Sequence, residues 1–252
     1  MTSANRPQGV PAYERWPREA AKARGRLYPA TALYTAYTFA LIAWAVRPPH
    51  RLHSALFFVA GIGVWTLMEY FVHRYILHGR FPDGPGIVRH FFHKRFDHLH
   101  WEHHDRPWDG EHINGRIMDT LPFSIALVLI AALFPMWSAP ILVAGILQSY
   151  VVEEWVHHSV HFYHFDNPYF RYIKRHHLYH HSPRGAEVGY GLTNGIWDIV
   201  FSTRISSEQR RLLYASGSTR AGAGAPVPEA GQRAALGTPP PASAGAGPLS
   251  PA

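Results

Sequence analysis

An all-helical integral membrane protein is the fold class this sequence predicts, and three observations carry that prediction. Residues 29–46 are uncharged, and residues 54–71 are uncharged apart from Glu69. Each run approaches the ~20 apolar residues a helix needs to cross a hydrocarbon core. Residues 121–152 carry no charge either. Histidine-rich polar stretches follow these runs, and the chain has 19 histidines in all. Charged residues make up 16%, leaner than the ~25% of a soluble domain.

The first run, 29–46, follows a basic segment containing Arg6, Arg15, Arg18, Lys22, Arg24 and Arg26. With no apolar stretch near Met1, that segment reads as a cytosolic arm over 1–28 ending at Pro29, and as no signal peptide. The connector to the second run holds only Arg47 and Arg51, so the charge bias puts the connector outside and the arm in the cytosol. His73 and His78 then emerge on the cytosolic side. Pro135 and Pro140 interrupt the run at 121–152. A single crossing there would strand the later histidines on the opposite face from the earlier ones, whereas a hairpin returns them. About four membrane-embedded helices in two hairpins are therefore expected, under a cytosolic cap, with both termini cytosolic. Each arm of the second hairpin is short for a full span at 1.5 Å per residue.

Residues 194–203, NGIWDIVFST, read as an amphipathic piece at the membrane surface. The catalytic domain is expected over 29–206. From 215 to 252 the composition turns to Ala, Gly, Pro and Ser, which cannot bury enough apolar surface to fold, so a disordered tail is expected. The absence of cysteine excludes disulfides, thiolate zinc sites and cysteine-held iron–sulfur clusters. A net charge of +7 does not imply nucleic acid as a partner, because the basic residues are dispersed and no nucleic-acid motif accompanies them.

Imidazole binds metals when neutral, and residues three or four apart on a helix share a face. His100, His103 and His104 therefore present three nitrogens together, and His177, His180 and His181 repeat the pattern. His157 and His161 lie four apart on another helix. His73 and His78 are five apart, which fits either a widened helical turn or ligation of two different metals. Ten nitrogens suit two ions better than one. His50, His53, His90, His93, His98, His112, His158, His164 and His176 lack this paired context and read as neighbours or surface residues. Glu69 lies four residues before His73, and Glu153 and Glu154 lie four and three before His157. These carboxylates are expected to accept the far N–H of a ligating imidazole and fix its tautomer. Direct coordination by Glu69 and Glu154 is the alternative.

The stretches EYFVHRYILH (69–78), HWEHHDRPWDG (100–110), YVVEEWVHHSVH (150–161), HLYHH (177–181), GYGLT (189–193) and Trp197-Asp198 resemble the fatty acid hydroxylase/sterol desaturase superfamily over roughly residues 60–204. Within it, E-Y-x-x-H-R-x-x-x-H and H-H-x-x-P-x-D-G are most similar to fatty acid 2-hydroxylases. The resemblance implies a non-haem dimetal centre of two iron ions, replaceable by zinc in purified protein, with the ten histidines as ligands. It implies O2 as co-substrate and hydroxylation of a lipid acyl chain near its carboxyl end, at C2 of a fatty acid or ceramide. His112 and His158 depart from that branch, where a basic residue and a tyrosine are usual. No H-P-G-G haem-domain motif is found, so electrons are expected from an external cytochrome or ferredoxin with its reductase. Alternatives are a sterol or carotenoid oxygenase or desaturase using the same cage, and a membrane metal transporter, which would place ligands along a translocation path instead of at segment ends.

Overall fold

The computed structural model describes residues 12–97, 99–182 and 184–215, and the expected disordered tail lies outside these apart from its first residue. All regular structure among them is helical. Helix α1 spans Ala12–Ala45 and α2 spans Arg51–Phe71. A wide π turn, Val72–Leu77, continues α2. Short helices α3 (Ile87–Phe92) and α4 (Leu99–Asp105) follow. Then come α5 (Ile117–Ala131), α6 (Ala139–Phe162), α7 (Pro168–His180), α8 (Ile196–Val200) and α9 (Ser207–Ala215).

The uncharged run at 121–152 is a hairpin: α5 ends at Ala131, the chain turns through Pro135, and α6 starts with Pro140 in its first turn. Proline belongs there because the first N–H groups of a helix have no partner to lose. The α1–α2 turn meets the α5–α6 turn. His50 stacks on Trp137 with ring centroids 5.0 Å apart, and the Ser54 hydroxyl donates to the Trp137 carbonyl at 3.4 Å. Both turns therefore occupy one end of the bundle, and α2 and α6 run from it in the same direction.

Where α2 and α6 cross, Gly61 and Gly145 face each other. A Cβ on Gly61 would run into the Leu142 carbonyl and lie 3.1 Å from Gly145 Cα, and one on Gly145 would meet the Phe58 carbonyl. Small residues permit this backbone approach, as in packed membrane helices.

The first segment departs from expectation. Pro29 opens no new element, for α1 runs through both Pro17 and Pro29. Its buried residues Ala20, Ala23, Leu27, Ala30, Tyr34, Thr38, Leu41 and Ala45 form one stripe at three- and four-residue spacing. That apolar stripe crosses Pro29 unbroken and outweighs the missing donor. Its first turns dock on the cap. The Trp16 indole donates to the Phe162 carbonyl at 3.0 Å and lies 4.6 Å from the Trp108 ring. Glu19 accepts from Gly110 N at 2.8 Å, and Arg26 pairs with Glu111 at 3.3 Å.

The Pro48–Leu77 run, with mean hydropathy 1.7, is long and apolar enough to cross a membrane. Helix α5, at 15 residues, reaches about 22 Å against a hydrocarbon core of about 30 Å.

Candidate metal centre

Four elements deliver histidines to the end of the bundle opposite the two turns. The π turn after α2 brings His73 and His78 together, because its hydrogen bonds span five residues: His78 N donates to the His73 carbonyl at 3.0 Å. Helix α4 carries His100, His103 and His104. Helix α6 carries His157 and His161, one turn apart in its last turns. Helix α7 starts sharply at Pro168, with the Asn167 side chain accepting from Phe170 N at 2.9 Å. It ends at His177, His180 and His181.

These residues fall into two groups of five. One is His73, His78, His100, His104 and His180; the other is His103, His157, His161, His177 and His181. Within each group the candidate ligand atoms all lie within 4.8 Å of one another. All ten residues named from spacing are present, and none of the other eight described histidines joins either group. Their division is not the expected one. Neither H-x-x-H-H run stays together: His103 leaves His100 and His104 for the second group, and His180 leaves His177 and His181 for the first. The reason is helical phase. Residues four apart stack on one face, whereas the residue between them points about one quarter-turn away. Helices α4 and α7 therefore each lend histidines to both groups. His73 and His78 share a group, which favours the widened turn over two separate metals.

Ring nitrogens converge closely. His73 Nε2 lies 3.0 Å from His100 Nε2, and His78 Nε2 2.9 Å from His180 Nε2. In the second group His103 and His157 approach to 3.0 Å, His161 and His177 to 2.9 Å, and His181 and His177 to 3.0 Å, each through Nε2. Buried imidazoles aimed at one point fit a cation with bonds of about 2.0–2.1 Å to each nitrogen. His104 Nε2 is buried and has no hydrogen-bond partner, as a nitrogen reserved for a metal would be. Burial holds these rings neutral, the state that coordinates. It pushes His180 down to about 4. Burial, reinforced by His180, takes His78 to about 3; burial with His180 and His78 takes His104 to about 2.

The carboxylates do something other than expected. Glu69 hydrogen-bonds to none of the ten histidines: its Oε1 accepts from Leu192 N at 2.5 Å and Thr193 N at 2.8 Å, and its Oε2 from the Thr193 hydroxyl at 2.5 Å. Glu154 accepts from Asn114 Nδ2 at 2.9 Å and from Gly115 N at 3.2 Å. Glu153 belongs to neither group and bonds to no ligand histidine. Backbone carbonyls take the place the carboxylates were expected to fill. His73 Nδ1 donates to the Tyr190 carbonyl at 2.6 Å, and His180 Nδ1 to the Val188 carbonyl at 2.8 Å. The Ile113 carbonyl faces the His157 ring.

Asp198 was not among the expected site residues, although it closes this network. Fully buried, it accepts from Tyr190 N at 2.8 Å, Gly191 N at 2.9 Å, the Thr203 hydroxyl at 2.8 Å and His176 Nε2 at 3.2 Å. Burial raises its pKa, but the His176 contact and the backbone and hydroxyl donors outweigh that and hold it below the usual carboxylate range. An aspartate two residues into a short apolar helix was the available signal. His112, an expected neighbour, bridges Glu102 at 2.7 Å and Asp109 at 3.1 Å.

Two groups of five histidines at one end of an apolar helical bundle suggest a metal centre, and comparison with known proteins narrows the class. The family model described as fatty acid hydroxylase matches residues 58–203. The chain belongs to that family. It is 32% identical over 161 residues to fatty acid 2-hydroxylase of Rattus norvegicus, covering 60% of this chain and 40% of that one. It is 31% identical over 153 residues to dihydroceramide fatty acyl 2-hydroxylase FAH2 of Arabidopsis thaliana, covering 57% and 58%. The chain thus spans about half the length of these relatives. A solved structure described as full-length scs7p, with only the hydroxylase domain visible, superposes with a TM-score of 0.55 at 26% identity, covering 69% of this chain and 63% of that one.

Proposed function

We propose that the chain is an O2-dependent lipid hydroxylase that places a hydroxyl on C2 of a fatty acyl chain, free or within a ceramide. The observation that carries this reading is the pair of five-histidine groups side by side at one end of an apolar helical bundle, in a chain whose relatives are named as acyl 2-hydroxylases.

In this reading the ten histidines hold two ions, iron in the working enzyme, with His73, His78, His100, His104 and His180 around one and His103, His157, His161, His177 and His181 around the other. Two bound irons supply the O2 activation that no side chain can. One methylene C–H becomes C–OH, the second oxygen atom leaves as water, and two electrons and two protons are consumed. The electrons come from an external cytochrome or ferredoxin with its reductase. The chain's own part is to keep the imidazoles neutral, to orient them from behind and to hold one methylene beside them.

The bundle is proposed to sit in the bilayer, with α1, α2, α5 and α6 as its embedded helices and the histidine end on the cytosolic face. Leu52, Leu56 and Val59 on α2 and Leu129, Ile130 and Leu133 at the end of α5 are all exposed, as lipid-facing side chains would be. The substrate's acyl tail then stays in lipid while its carboxyl end reaches the histidines.

The test is product analysis. Iron-loaded protein in membranes receives O2, a reductase system and a panel of fatty acids and ceramides. Mass spectrometry is expected to find a product heavier by one oxygen, with fragmentation placing it at C2. A hydroxylated ring, a new double bond, or no oxygenated lipid across the panel overturns the reading.

A further inference from the structure

Two stretches of the molecule repeat one arrangement. On α2, Glu69 lies one turn before His73 and accepts two backbone N–H groups of the 189–194 loop, at Leu192 and Thr193. That same loop turns the Tyr190 carbonyl onto His73 Nδ1 at 2.6 Å. On α6, Glu154 lies one turn before His157 and accepts from Asn114 Nδ2 and from Gly115 N of the 109–115 loop. That loop presents the Ile113 carbonyl to the His157 ring. Glutamate, loop carbonyl and histidine thus form a closed triangle, once in each histidine group. Helices α2 and α6 are also the two that cross at Gly61 and Gly145.

We propose that Glu69 and Glu154 are paired positioning residues, each acting through a backbone loop on one histidine of one metal position. Glu69 sets His73 through Tyr190, and Glu154 sets His157 through Ile113. The proposal rests on the reading that the histidine groups hold metal, and it adds that each position has its own separable support. A glutamate is well suited because its two carboxyl oxygens accept several donors at once. Both are buried, so their bonds to the loops are shielded from competing water. Outer partners of this kind change metal affinity by about 10–100-fold when lost.

Glutamine is the informative conservative change. In Glu69→Gln the amide oxygen still accepts from Leu192 N and Thr193 N, and its NH2 donates to the Thr193 hydroxyl, which can reverse its role. In Glu154→Gln the amide oxygen still accepts from Gly115 N. The displaced Asn114 amide can flip, because its Oδ1 is buried and unpartnered and can receive the new NH2. Leucine removes the acceptors altogether.

The experiment uses full-length protein in detergent, loaded with iron, exposed to a fixed concentration of chelator and assayed for iron per chain. Wild type is expected to retain two irons, Glu69→Leu and Glu154→Leu one each, and the double Leu variant none. Both Gln variants are expected to keep two. The iron retained by each single Leu variant shows that the fold survives. Loss of both irons from either single Leu variant overturns the proposal, as does retention of both, or Gln variants that behave like Leu. Wild type that binds no iron overturns the metal-centre reading instead, which keeps the two failures distinct.

Discussion

Behind the two histidine groups the protein is built differently. In the first group His73 and His180 are both fixed from behind by carbonyls of residues 188–190, and Asp198 ties that backbone to α8, to Thr203 and to His176. In the second group the Ile113 carbonyl supports His157, while Nδ1 of His103, His161, His177 and His181 is buried without a hydrogen-bond partner. Orientation of those four rings comes from packing against one another, as in the 4.5 Å approach of the His103 and His181 rings. Equal numbers of donors therefore do not make equal sites. Two of the first group's rings are held from behind by hydrogen bonds, whereas four of the second group's have a buried, unpartnered Nδ1 and gain more of their order when their nitrogens have something to bind.

The largest test of this contrast is insertion of an alanine after Tyr75. With one more residue between them His73 and His78 stand six apart instead of five, and His78 swings about 100° around the axis. Product formation should fall to background, with the first group's iron lost and the second's retained. An insertion variant with normal activity would mean the wide turn does not set the first group.

Next come single ligands on one helix. His103→Ala and His104→Ala are each expected to reduce turnover by more than about 100-fold, beyond the range for outer partners. They should strip opposite irons, which Mössbauer spectra of the remaining iron can distinguish. If both changes remove the same iron, the division of α4 between the groups is wrong.

Smaller in effect is the order of metal loss from the unaltered protein. Chelation should be biphasic, with the second group's iron leaving roughly ten times faster, the low end of the range for missing outer partners. A single phase would show that hydrogen bonding behind the rings does not govern retention.

The smallest effects concern how the first turns of α1 reach the cap beside the second group. Trp16→Ala should cost about 2 kcal/mol, below the 3–5 of fully buried Trp or Phe to Ala changes. Arg26→Ala should cost under about 1 kcal/mol, because its ion pair with Glu111 is exposed to solvent. Thermal unfolding in detergent separates them, and the reverse ranking would mean that charge holds α1 to the cap.

Much of this was legible in the residues. The ten histidines stand out because three- and four-residue spacing is itself a statement about helix faces, and the hairpin at 121–152 follows from the need to bring them together. The division into groups was harder to read, since H-x-x-H-H does not say that its middle histidine belongs to another face until partner helices are in place. The role of Glu69 was misread because spacing along α2 gives its distance from His73 but not which loop comes between. The true orienting groups, the carbonyls of Ile113, Val188 and Tyr190, have no side-chain signature at all. Pro29 was given too much weight: the stripe from Ala20 to Ala45 was visible and marked one continuous helix.

The crossing of α2 and α6 has a mechanical consequence. His73 and His157 each lie twelve residues beyond the glycine at which their helices touch, so the contact is a fulcrum and each helix an arm of about 18 Å. A tilt of 5° at the fulcrum would displace a histidine by about 1.6 Å at the far end of such an arm. Methyl groups added at Gly61 or Gly145, far from any histidine, would therefore be felt as misalignment between the two histidine groups. Tolerances at the reactive end are set by the least chemically reactive residues in the chain.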